Sequence, residues 1–210
     1  MKTVEISVYQ FNELSESAKE KAREWYREST YENGFAWAEE AYDSIRKFCE
    51  IFGIAYHSSF FSNYSEANVS FSGIDDAILE LSGKRLFAYL WNNHSDLLIQ
   101  RKTVHFCRMP DGSKRFNCVG MNSGKYVSKC QWEQSSCPIT GVCFDENLLA
   151  PMKKAVKEGY SGTLEDLLSD CIDSWVKLAE EDCEWQLSDE YVDEQIEANS
   201  YEFTEDGKRY

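Results

Sequence analysis

Six residues that could hold a metal fall within 39 positions: His105, Cys107, Cys118, Cys130, Cys137 and Cys143. Thiolate and imidazole are preferred zinc ligands, and a structural site takes four of them. The gaps between the cysteines are ten, eleven, six and five residues. The two-residue knuckle that makes a zinc assignment specific is missing, so free thiols are the favoured reading. The expected cofactor is none, with zinc the one the segment admits. Cys107 and His105 would share a strand face by alternation, but no third group is placed to orient them as a nucleophile pair. His57 and His94 belong to no metal array, and no phosphate-binding glycine loop or nucleophile elbow occurs. No catalytic residue is expected.

The second candidate chemistry is carboxylate. Glu165, Asp166, Asp170, Asp173, Glu180, Glu181 and Glu184, with Asp182 among them, fall in one helical pattern from about Leu164 to Trp185. At about 1.5 Å per residue that helix is roughly 33 Å long and carries a carboxylate about every 4 Å. One strand of B-DNA places a phosphate about every 3.4 Å of axis. The likeness in linear charge density would let the helix occupy a basic nucleic-acid groove on another protein. The plainer alternative is a solvated helix face.

These residues need elements to position them. Val4, Ile6 and Val8 alternate with polar residues, predicting an N-terminal strand over 3–11. Ser15 caps a helix that Asn33-Gly34 ends, with Glu20–Arg23 and Glu24–Arg27 as pairs across one turn. Phe35, Ala38, Tyr42, Ile45, Cys49 and Phe52 step by three and four before Gly53, predicting a core helix. A hairpin follows over 54–62 and 67–73, then a short helix after Asp75-Asp76 and another over 84–92. Residues 97–132 read as extended, with a turn at Pro110-Asp111-Gly112. Asp145, Thr163 and Ser188 cap three further helices, and residues 200–205 alternate as a partner for the first strand. Trp25, Trp37, Trp91 and Trp175 are expected in the core. The fold class is therefore α+β, helices on a small mostly antiparallel sheet with terminal strands paired. A single domain is expected over 1–210, comprising a helix-helix-hairpin part (1–82), a basic Cys-rich extended part (83–144) and an acidic helical part (145–210).

The chain of 210 residues has 22 Lys+Arg against 37 Asp+Glu, a net charge of −15. Its 14% aromatic content excludes an acidic disordered chain. Segment by segment the net charge is −8 over 1–82, +7 over 83–130, −1 over 131–160 and −13 over 161–210. The basic stretch, with His105, Phe106, Phe116, Tyr126 and Trp132, has the makings of a nucleic-acid surface. Pairing with the acidic part of this chain or of a second copy is favoured instead, because the whole-molecule field repels phosphate. No run reaches the roughly 20 apolar residues of a membrane span, and the N-terminus lacks a signal peptide's apolar stretch. A cytoplasmic chain with reduced cysteines is the expectation.

Three blocks carry a resemblance. Residues Phe11 to Tyr26, the Cys137-Pro138-Ile139-Thr140-Gly141-Val142-Cys143-Phe144-Asp145 stretch with Glu146, and the ending from Ile196 to Tyr210 resemble accessory proteins of tailed bacteriophages and prophages. The resemblance implies action in a bacterial cytoplasm. It is compatible with inhibitors of host defence of the anti-CRISPR or antirestriction type, and it transfers no catalytic residues. The expected function is binding of a bacterial defence or nucleic-acid-processing protein through an acidic, DNA-imitating surface. The alternatives are a metal- or thiol-dependent enzyme acting on nucleic acid or nucleotide, and a dimeric structural or regulatory protein. The expected partner is a host protein with a basic surface, such as a CRISPR-Cas or restriction component, with no membrane and no direct nucleic-acid contact.

Overall fold

The structure, a computed structural model, describes residues 6–56, 69–116, 125–133 and 137–210, with backbone alone at 100–104 and 128–133. It is an α+β fold of helices and small antiparallel sheets. The chain divides into two compact units, 1–74 with 172–210 and 75–171.

In the first unit, strand β1 (Tyr9–Gln10) pairs antiparallel with β7 (Glu202–Phe203), setting Tyr9 opposite Phe203. The terminal strands thus pair as their alternation predicts, over two residues each. Helix α1 (Glu16–Asn33) starts at Ser15, whose hydroxyl accepts the Ala18 N–H at 3.3 Å. It packs on α7 (Asp189–Ala198) around Phe11, Leu14, Ala18, Ala22, Val192, Ile196 and Phe203. Gly207 closes this core. At φ +84° it lies where a Cβ would meet the Ala18 carbonyl oxygen at 2.2 Å, so no other residue fits without backbone movement.

Helix α2 (Ala38–Phe52) buries Ala41, Ser44, Ile45, Phe48, Cys49 and Phe52 and ends at Gly53 in the left-handed conformation. A two-residue ladder joins β2 (Ala55–Tyr56) to β3 (Val69–Ser70), the base of the expected hairpin; its turn lies outside the described residues. Trp175 is fully buried and donates its indole N–H to the Ala41 carbonyl at 3.1 Å. Trp37 and Trp91, expected in the core, are exposed at 65% and 51%. Trp37 sits at φ +63° immediately before α2, and that left-handed turn carries its ring out of the apolar stripe.

In the second unit, α3 (Asp76–Leu79) follows its Asp75 cap, and α4 (Gly83–Leu98) packs on α5 (Phe144–Glu158). Leu97 and Leu98, read from sequence as extended, are the buried last turn of α4. An apolar triplet satisfies a strand and a buried helix end equally well. Strand β4 (Gln100–Arg108) pairs antiparallel with β6 (Lys125–Glu133) over nine residues, and β5 (Lys114–Arg115) joins the other edge of β4. The turn at Pro110-Asp111-Gly112 joins β4 to β5 as expected.

Helix α6 (Leu164–Gln186) contains the boundary between the units. Its first turns bury Leu164, Leu167, Leu168 and Cys171, and its remainder buries Ile172, Trp175, Ala179, Cys183 and Gln186. Steps of three and four along this set give a continuous apolar stripe.

Candidate functional site

The seven carboxylates singled out on α6 are all exposed, on the side away from the apolar stripe. They do not share one electrostatic situation. Asp166 accepts the Thr163 N–H at 2.8 Å and its hydroxyl at 2.9 Å, which holds its carboxyl below the ordinary range. Asp170 accepts the Tyr160 phenol at 2.7 Å; burial first, then this bond, raises the phenol's pKa. Glu181 lies 3.7 Å from Lys177. Glu165, Asp173, Glu180 and Glu184 make no ion pair among the described residues. Asp173, Glu180 and Glu184 fall seven and four residues apart, on one helical face.

The sequence reading missed two further acidic rows. Glu16, Glu20, Glu24, Glu28 and Glu32 recur every fourth residue along α1, all exposed. Glu16 and Glu20 are taken up by Lys19, Arg23 and Arg27; Glu24, Glu28 and Glu32 pair with no described residue. The expected Glu24–Arg27 pair does not form, because Arg27 turns to Glu20, to the Leu187 carbonyl at 2.9 Å and to Asp189. On α7, Glu190, Glu194 and Glu197 are exposed at steps of four and three. The unbroken four-residue recurrence in α1 was the available signal. Counted by unit, the first has 25 acids and 10 bases, and the second 12 of each. The whole net charge of −15 therefore belongs to the first unit.

The cysteine–histidine group is not assembled into a metal site among the described residues. His105 is exposed and stacked on Tyr126, ring centroids 5.7 Å apart and planes at 16°. Cys107, expected as a thiol, is disulfide-bonded. A sulfur so joined offers no thiolate to zinc or to a substrate, which also removes the Cys107–His105 nucleophile pair. Bonding reach between sulfurs depends on strand placement and is invisible in sequence spacing. Cys118 lies outside the described residues. Cys130 occupies the β6 position opposite Thr103, with its side chain outside the description. Cys137 and Cys143 are free thiols, half-buried and exposed.

Those two cysteines bracket a loop organised by Asp145. Sequence reading makes Asp145 a helix cap; in the structure it is fully buried in the first turn of α5. Its carboxylate accepts the N–H groups of Ile139, Thr140 and Gly141 at 2.9, 2.7 and 3.0 Å and the Thr140 hydroxyl at 2.8 Å. All four donors are consumed internally, so the carboxylate is a loop anchor rather than an acid or base.

An open apolar groove of about 530 Å³ in the second unit is lined by Phe87, Leu90, Trp91, Leu98 and Val156. Asn92 is the one polar side chain lining it, so it lacks the converging polar groups of a catalytic pocket. No described helix is long and apolar enough to cross a membrane. No family model matches the chain, and no curated protein or solved structure is significantly similar to it.

Proposed function

We propose that this protein acts by binding, its acidic first unit engaging a basic, nucleic-acid-binding surface of another protein and competing there with DNA. The observation that carries the reading is the pairing of two faces on α6. The same helix that fixes Trp175 in the core presents Asp173, Glu180 and Glu184 to solvent with no neutralising partner among the described residues. Carboxylates mounted on a packed helix hold their spacing, which a flexible acidic tail does not. The rows on α1 and α7 extend the negative field, and such fields raise association rates with basic partners. The likeness of the chain's ends and its 137–146 block to phage accessory proteins makes a bacterial defence or nucleic-acid-processing protein the partner class.

The test is affinity capture from bacterial lysate, with elution by duplex DNA. A basic partner released by DNA, and no longer captured by an Asp173→Lys/Glu180→Lys/Glu184→Lys variant, is the expected result. Equal capture by that variant would overturn the reading.

A further inference from the structure

The β4–β5–β6 sheet carries a charge arrangement that folding alone does not explain. Register sets Lys114 opposite Arg108 on one side and Lys125 opposite Arg108 on the other. Neighbouring strands lie about 4.8 Å apart, so three cations stand in one row about 10 Å long. Like charges directly opposite one another destabilise a sheet. All three are exposed, and none forms an ion pair among the described residues. Residues 100–133 contain seven bases, and their two acids are Asp111 and Glu133. Asp111 accepts the Ser113 N–H at 2.8 Å within its own turn. Within one chain, the pairing with acidic groups favoured from sequence is not made by this row among the described residues.

Aromatic rings accompany the cations. Phe116 is 68% exposed and its ring lies 6.2 Å from that of Phe106, over which Lys114 sits at 5.4 Å. The rings and the row thus share a face. Tyr126, 59% exposed and stacked on His105, belongs to the opposite face, since it pairs with Cys107 rather than Arg108. A partner offering carboxylates alone would satisfy the cations and leave the exposed Phe116 ring unused. A single-stranded nucleic acid uses both, phosphates on the cations and a base stacked on the ring. Charge elsewhere on the chain is screened beyond about 8 Å at physiological ionic strength, so a net −15 does not forbid local phosphate binding.

We propose that this ribbon binds single-stranded nucleic acid, the Lys114–Arg108–Lys125 row holding phosphates while Phe116, on the same face, stacks a base. The proposal is independent of the acidic surface, since Asp173, Glu180 and Glu184 lie outside the ribbon. The test is fluorescence anisotropy with a labelled 20-nucleotide oligothymidine, the matching duplex as competitor, and polyglutamate as the acidic-polypeptide competitor. The intact chain should bind the single strand, with log K falling against log salt at a slope near −2 for about three phosphates. Arg108→Glu/Lys114→Glu/Lys125→Glu should abolish binding, and Phe116→Ala should weaken it by roughly 10-fold. Circular dichroism checks that both variants fold; substitution at exposed positions leaves the core intact. Absence of binding by the intact chain at low salt, unchanged binding by either folded variant, or stronger competition by polyglutamate than by unlabelled single strand would each overturn it.

Discussion

The side-chain amide of Gln186 makes both hydrogen bonds of a peptide group with Ala36: the Ala36 N–H donates to its oxygen at 2.9 Å, and its nitrogen donates to the Ala36 carbonyl at 3.1 Å. A residue at the end of α6 thereby pins the turn that enters α2, one position before the left-handed Trp37. Gln186 is 2% exposed, so neither bond is exchanged with water at little cost. Gln186→Leu keeps the volume and removes both partners. Loss of about 1–3 kcal/mol is expected, read as a lower urea midpoint with an unchanged slope.

The same amide touches Asp182, donating to it at 2.7 Å. Burial raises the Asp182 carboxyl above its ordinary value, and the Gln186 bond only partly opposes this. The sign follows from the fold favouring the protonated form. Its stabilising contribution is complete below the unfolded value, about 3.9, and is lost as pH rises through the higher folded value. At neutral pH the ionised group is a burden in a unit already at −15. Asp182→Asn retains an oxygen for Gln186 and carries no charge. Its melting temperature should exceed the parent's at pH 7, and the two should converge near pH 3. A constant difference across that range would show that the charge is not responsible.

The five cysteines that are free among the described residues divide by burial. Cys49, Cys171 and Cys183 are buried in helices, and desolvation pushes the thiols of Cys49 and Cys183 up to about 12 and raises that of Cys171. Only thiolates react at useful rates. Titration of the native chain with a disulfide reagent at pH 8 should therefore modify Cys143 first, then Cys137. The three helical cysteines should react only in denaturant. Peptide mapping of the modified sites checks the order, and Cys143→Ser should remove the fastest phase.

Local chemistry made much of this fold legible in the sequence. Ser15, Gly53, Thr163 and Ser188 end or begin helices where their types require, because a cap is settled by residues within one turn. The stripe from Leu164 to Ala179 was readable because period 3.6 repeats over about four turns; the polar Gln186 that continues it carried no such signal. What escaped depends on partners distant in the chain. Trp37 leaves the core through a turn that Gln186 fixes from 150 positions away. The row Lys114–Arg108–Lys125 exists only because two pairings set the register, and segment counts show basic charge without aligning it. The confinement of net charge to one unit was hidden because the chain returns to that unit at Ile172, so segment nets mixed the two.

Asp145 gives the sharpest test of a buried carboxylate that anchors rather than reacts. Four donors converge on its two oxygens, three of them backbone N–H groups in the loop between Cys137 and Cys143. Asp145→Ala leaves those donors facing a cavity, and hydrogen bonds to a charged acceptor are worth about 1.5–3 kcal/mol each in net stability. These contributions do not add, because the donors share one acceptor group and can turn partly to water, so a total loss of about 3–5 kcal/mol is expected, at the upper end for a single substitution. Asp145→Asn should rescue part of the loss, because its oxygen can take the three N–H groups that meet at Oδ2 while its amide nitrogen faces the Thr140 hydroxyl, which can accept. Hydrogen exchange gives the direct measurement. The Ile139, Thr140 and Gly141 amides should lose protection in the alanine variant and keep part of it in Asp145→Asn, while amides in the middle of α6 keep theirs as long as the chain remains folded. Preserved protection at 139–141 in the alanine variant would mean that the loop is held by its backbone alone.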